Sequence, residues 1–264
     1  MLWLSIHFYP VEAQDVFLTR ALKPFLEQYI WPQKDARAFF VRYQDEKGPH
    51  IRIRLRGEAA WLETMIKPAF EGWFADRGEW AFDVYEPEPE RFGGESGLAW
   101  AEEHFHVSTR VVLDRISRPQ FTYGDAMFDA LRLHVISVFS AGFTKERSRW
   151  YFGQLYDQWL PLFFAADDAV LAQEITEAFE KTFAPQKEQL RATLDAFWKS
   201  LLAEKLDAKQ PEWTRWLRGN QLILNGLEEN LAKAMPSLIH LTNNRLGINN
   251  QDEVYLNFIL SKTL

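Results

Sequence analysis

Residues 48–57 read Gly-Pro-His-Ile-Arg-Ile-Arg-Leu-Arg-Gly, and this stretch constrains the fold more tightly than any other in the chain. Ile51, Ile53 and Leu55 alternate with Arg52, Arg54 and Arg56, the period-two pattern of a strand with one buried face. Side chains at i, i+2 and i+4 share a face, so three guanidinium groups line up roughly 7 Å apart at their bases. Arginine keeps its charge at any accessible pH, and such a row repels itself unless anions lie over it. Acidic side chains of the protein can be those anions, and so can a substrate. A solvated charged face is the plain alternative.

Around this strand the first third reads β-α-β-β-α-β. Trp3 to Tyr9 is a strand ended by Pro10, and a helix spans about Val11 to Tyr29. Ala38 to Tyr43 and Ile51 to Arg56 form a hairpin turning at Asp45-Glu46-Lys47-Gly48-Pro49. Trp61 to Trp73 is a second helix, and Trp80 to Tyr85 a fourth strand stopped by Glu86-Pro87-Glu88-Pro89. This order predicts a ferredoxin-like antiparallel sheet with two helices on one face and the arginine row on the other.

From Gly97 onward the period becomes helical. Helices are expected over Leu98 to Ile116, Asp125 to Gly142, Arg147 to Phe164, Asp168 to Phe183, Pro185 to Leu206, Pro211 to Ala234 and Glu253 to Leu260. Breaks are expected at Phe121-Thr122-Tyr123-Gly124 and at Ser237 to Arg245. The expectation is one α+β domain over 1–264, with a sheet half to residue 95 and a helical half from residue 96.

Composition narrows the chemistry. The 264 residues include no cysteine, which excludes disulfides, thiol nucleophiles and Cys-ligated metals. A net charge of −7 argues against a broad nucleic-acid surface but permits a local basic pocket. No basic, apolar leader opens the chain and no run reaches membrane-span length, so a cytoplasmic protein is expected.

Three groups of residues have both a plain and a functional reading. The loop Tyr85-Glu86-Pro87-Glu88-Pro89-Glu90-Arg91-Phe92-Gly93-Gly94 is either a solvated acidic turn or a rim that aims Arg91 and Glu88 at the arginine row. Glu102, Glu103, His104 and His106 invite a metal reading, but there is no H-E-x-x-H pattern and no third ligand, so no metal is expected. His240, among Leu238, Ile239 and Leu241, is either a satisfied core residue or a proton-transfer group. No nucleophile elbow, Walker loop or dinucleotide fingerprint is present.

Five segments then occur in register: Phe39-Phe40-Val41-Arg42-Tyr43, Pro49 to Gly57, Tyr85 to Gly94, the helix with Ala101-Glu102 and His106, and Ser237-Leu238-Ile239-His240 through Asn244-Arg245-Leu246-Gly247. Together they resemble the glutamate-elimination domain of class I lanthipeptide dehydratases, a domain that also occurs as a separate protein in split dehydratases and thiopeptide pathways. The resemblance implies a lyase that expels glutamate from glutamylated Ser or Thr of a precursor peptide, leaving dehydroalanine or dehydrobutyrine. It implies a separate glutamylating subunit that uses glutamyl-tRNA, no cofactor, and no direct nucleic-acid binding by this chain; a homodimer is compatible with it. Arg54, Arg91, His240 and Glu88 are implied as catalytic, with Arg52, Arg42 and Arg56 binding substrate. Pro87 and Pro89 depart from the family's loop and put its shape in doubt. A thiopeptide pyridine synthase on the same scaffold and a non-catalytic peptide-binding subunit are the competing expectations. Pyridine synthases tend to lose the elimination arginines and histidine, which are retained here.

Overall fold

The computed structural model describes residues 1–165 and 168–264. Among them, β1 (Leu2–Pro10), β2 (Arg37–Asp45), β3 (Gly48–Gly57) and β4 (Gly78–Asp83) form one sheet in the order β2-β3-β1-β4, every neighbouring pair antiparallel. The alternation read from the sequence fixes the two faces. Ile6, Phe8, Phe40, Ile51, Ile53 and Leu55 are buried on one of them, against helical runs over residues 14–30 and 59–74 that connect the strands. Both runs include wider π-helical turns, at Leu18–Leu22, Leu26–Ile30 and Leu62–Ile66. Their inner faces are aromatic: Phe8 stacks on Phe17 at 4.3 Å between ring centres, and Phe70 lies 4.4 Å from Phe74. Each fully buried ring of this kind contributes about 2–3 kcal/mol by removal from water.

The outer edge of β2 is closed by side chains from two further helices, Glu95–Ile116 and Leu231–Leu246. The N–H of Ala38 donates to His106 Nδ1 at 3.1 Å and that of Phe40 to Thr109 Oγ1 at 3.4 Å. Asn244 takes both backbone groups of Arg42, accepting from its N–H and donating to its C=O at 2.9 Å each. An edge satisfied in this way cannot template another strand.

Chain contacts divide the protein into two compact units, Met1–Phe121 with Glu229–Leu246, and Thr122–Glu228 with Gly247–Leu264. The second is helical: Tyr123–Ser140, Lys145–Phe164, Ala169–Phe183, Lys187–Leu202, Pro211–Leu227 and Asn250–Thr263. Side-chain caps start four of them. Thr122 and Asp125 form a reciprocal capping box, and Thr144, Asp168 and Asn249 each accept a backbone N–H.

Two boundaries differ most from expectation. Ser237 to Arg245, expected as a break, lies within the Leu231–Leu246 helix despite Pro236, because Leu238, Ile239, Thr242 and Leu246 recur at helical spacing and are buried. The expected helix Pro211 to Ala234 instead stops at Leu227, where Glu228 adopts φ 33° and a short turn, Glu228–Asn230, follows.

Candidate active site

The open face of the sheet carries the arginine row, and its three members meet different surroundings. Arg56 is neutralised: its guanidinium lies 3.4 Å from Glu102 and 2.9 Å from Glu103, both on the Glu95–Ile116 helix, and 5.5 Å from the centre of the Trp3 ring. Arg52 stacks on Tyr43 at 3.4 Å and donates weakly to His50 at 3.4 Å. Arg54 is 7 % exposed, and among the described residues it has no carboxylate within ion-pair distance. It donates to the Ile53 and Ile6 carbonyls at 3.2 and 3.5 Å and lies 5.6 Å from the centre of the Tyr85 ring. Burial, reinforced by the neighbouring Arg52 charge, pushes the Arg54 guanidinium down to about 10. A buried cation without an internal anion is expensive to maintain, and an incoming anion would relieve it.

Arg42 does not join the row. It pairs with Ile51 across β2 and β3 and so shares the opposite face, where it bonds Asp15 at 2.5 Å and the Arg245 carbonyl at 3.1 Å. Arg42, expected to bind substrate, here ties the sheet to the residue 14–30 run and the Leu231–Leu246 helix.

After β4 the chain runs through Tyr85 into a short 3-10 turn, Pro89–Phe92. Gly93 and Gly94 follow at φ 88° and 93°, a conformation that L side chains rarely adopt. The turn lies against the Leu231–Leu246 helix, and a side-chain carbon on Gly93 would overlap Asn230, the residue just before that helix. Arg91 is half-exposed and pairs with Glu88 at 2.8 Å rather than with a buried group. His240 is partly buried on that same helix, one turn before Asn244. Arg91 and His240 are thus carried by elements that touch, while Arg54 enters from the sheet.

Further residues line this part of the structure. Tyr85 donates to Glu102, and burial followed by that carboxylate raises its phenol far above the usual range. Glu102 is itself raised by burial, with Arg56, Tyr85 and Trp3 pulling the other way. Trp3, Phe39 and Tyr85 form an aromatic triangle with ring centres 5.1–5.8 Å apart. Arg245 is fully buried, 5.0 Å from the centre of the Phe105 ring and 5.8 Å from that of Phe39, and burial lowers it to about 9. On β1, His7 stands directly across from Arg52, with Nε2 3.1 Å from Asp83 of β4.

The acidic and histidine-bearing helix is accounted for by these contacts. Glu102 and Glu103 hold Arg56, Glu103 also holds Arg37 at 2.7 Å, and His106 serves the β2 edge. Among the described residues no cluster of three or more metal-ligating side chains occurs, and no helix is long and apolar enough to cross a membrane.

The chain is similar to the subtilin biosynthesis protein SpaB of Bacillus subtilis, with 34% identity over 117 residues, covering 42% of this chain and 11% of that protein. Among solved structures it is similar to TbtD, the pyridine synthase from thiomuracin biosynthesis, with a TM-score of 0.76 at 16% identity over 100% of this chain and 97% of the other. It is also similar to MibB, a tRNA-dependent lantibiotic dehydratase from Microbispora, with a TM-score of 0.70 at 18% identity over 100% of this chain and 28% of the other. The chain thus spans a small fraction of SpaB and MibB and nearly the whole of TbtD. With residues 3–264 matching the sequence pattern of the lantibiotic biosynthesis dehydratase C-terminal family, the chain belongs to that family.

Proposed function

We propose that the protein is the elimination half of a split peptide dehydratase. It would take a ribosomally made peptide whose Ser or Thr carries a glutamyl ester, remove the Cα proton and release glutamate, leaving a dehydroamino acid. The observation that carries this reading is Arg54, a nearly buried cation with no carboxylate within ion-pair distance among the described residues, on a sheet face that already holds Arg52. As the Cα proton leaves, charge builds on the adjacent carbonyl oxygen and then on the departing carboxylate. Fixed cations held out of water stabilise both, and this electrostatic contribution is usually the largest in such reactions. Arg91 with Glu88 would complete the cationic rim, and His240 would remove a proton or protonate a developing charge. A separate glutamyl-tRNA-dependent subunit, action in the cytoplasm as one elimination-type domain, and a split-βαβ origin of the sheet belong to the same proposal. The all-antiparallel pairing and two helical connections support the last point.

The test is to incubate the protein with glutamylated precursor peptide and follow product mass. Dehydrated peptide and free glutamate are expected from the wild type. Arg54→Ala, Arg91→Ala and His240→Ala should leave glutamylated peptide, heavier than the precursor. Full dehydration by a folded Arg54→Ala/Arg91→Ala double variant would overturn the reading. The near full-length likeness to TbtD favours pyridine synthesis as the second reading; that activity would join two dehydroalanines of one peptide and release no glutamate.

A further inference from the structure

We propose that His7, oriented by Asp83, is a proton acceptor for the elimination, a role that rests on the elimination reading above. β1 lies between β3 and β4, and this insertion brings three kinds of group onto one patch of the open face. His7 is the cross-strand partner of Arg52, and its neighbour on that face, Ser5, is the partner of both Arg54 and Asp83. The register sets the cations within about one residue pair of the imidazole, where cross-strand side chains interact directly.

Asp83 lies 3.1 Å from Nε2 and is the carboxylate placed to hold a proton on that nitrogen. An Nε2–H turned toward the carboxylate leaves the lone pair on Nδ1, and Nδ1 has no protein partner among the described residues. The arrangement is that of a base held by a carboxylate beside cations placed for developing negative charge. The two groups are within ion-pair distance but do not meet hydrogen-bond geometry; catalytic hydrogen bonds of this kind commonly tighten when substrate binds.

The step balances without any other reagent. Nδ1 of His7 accepts the Cα proton of the glutamylated residue, and the C–H electron pair becomes the Cα=Cβ bond. The Cβ–O bond breaks, and glutamate departs as a carboxylate toward Arg52 and Arg54. His7 is left as an imidazolium paired with Asp83.

The groups facing His7 are His50, Arg52 and Arg54 on β3, Asp83 on β4, and, through the His50 ring, Tyr9 on its own strand with Tyr43 and Asp45 of β2. Burial, Arg52 and Arg54 hold His7 below its ordinary value, and Asp83 opposes them. A base must be neutral to act, so the acid limb of the elimination rate should fall below pH 6.5.

Single-turnover release of glutamate from pre-glutamylated peptide, measured across pH, tests this. His7→Gln should slow release by about 100-fold or more and abolish the acid limb. Asp83→Asn removes the anion that favours the imidazolium and should move the limb to lower pH; Arg52→Gln should move it to higher pH. A folded His7→Gln with wild-type rate and limb overturns the inference. If that variant fails to fold, limbs unmoved in both Asp83→Asn and Arg52→Gln overturn it. In either case elimination itself stands if the wild type releases glutamate and Arg54→Ala does not, and it falls if the wild type releases none.

Discussion

Arg54 and Arg56 are adjacent on one face of β3, yet Arg56 lies against two carboxylates while Arg54 has none within ion-pair distance among the described residues. Opposite stability effects follow. Arg54→Met removes an uncompensated buried charge and should leave the melting temperature unchanged or raise it, by the equivalent of up to ~2 kcal/mol. Arg56→Met takes the cation away from the buried Glu102 carboxylate, leaving it Tyr85 and Trp3, and should lower stability by about 1–3 kcal/mol. Thermal melts of the two variants check this, and shifts of the same sign would contradict it. Arg54 opposes folding at every pH below about 10, because its folded-state value lies below its ordinary one and the unfolded chain holds that proton more readily.

Why the arginine row was legible and its surroundings were not has a physical basis. Alternation over residues 51–56 dictates which side chains share a face, because the strand period is two. It says nothing about the register of the neighbouring strand, which decides the face of Arg42: the turn at Glu46 and Lys47 sets Arg42 opposite Ile51, on the buried side. His7 and Asp83 are 76 positions apart and carry no local signal; their pairing arises only when β1 enters between β3 and β4. Ser237 to Arg245, expected as a break, is helical because its apolar side chains meet a tertiary partner that local sequence does not show. Burying Leu238, Ile239 and Leu246 there outweighs the roughly 3 kcal/mol that an interior proline costs.

Acid should destabilise the protein before its carboxylates titrate. Burial pushes His106 down to about 4 and His104 to about 3, so both stay neutral when folded. The unfolded chain protonates them near 6.5. Their stabilising effect is complete above pH 6.5 and is lost as pH falls from there toward 4, with about 3 kcal/mol from His106. Urea midpoints from pH 7 to pH 4.5 should show the decline. His106→Gln keeps an acceptor for Ala38 but cannot titrate, and its decline should be shallower.

Asn244 holds the N–H and C=O of Arg42 with one amide. Asn244→Leu leaves both backbone groups unsatisfied and opens the β2 edge, costing about 1–3 kcal/mol and inviting strand-to-strand association. Asn244→Gln should not restore it, because the extra methylene displaces both bonds at once. Light scattering during mild heating, compared with the wild type, reads the association directly.

The approach of the Pro89–Phe92 turn to the following helix gives a way to move Arg91 without altering its charge. A side-chain carbon on Gly97 would overlap the Phe92 carbonyl oxygen, a backbone atom that a rotamer change cannot clear. By contrast, a side-chain carbon on Gly94 meets open space and is disfavoured only by its φ of 93°. Gly97→Ala should therefore push the turn away from the helix, with Arg91 and Glu88 on it. A displacement of about 1 Å in such a positioning element is enough to lower turnover roughly 100-fold. Gly94→Ala, at φ 93° and ψ −171° in backbone that is essentially confined to glycine, should cost about 1–3 kcal/mol of stability and largely keep the rate. If elimination depends on where Arg91 sits, Gly97→Ala loses kcat and resembles Arg91→Ala, with glutamylated peptide accumulating. If Arg91 acts only as a diffuse surface charge, Gly97→Ala keeps the wild-type kcat whatever its melting temperature, and the catalytic role assigned to the turn is withdrawn.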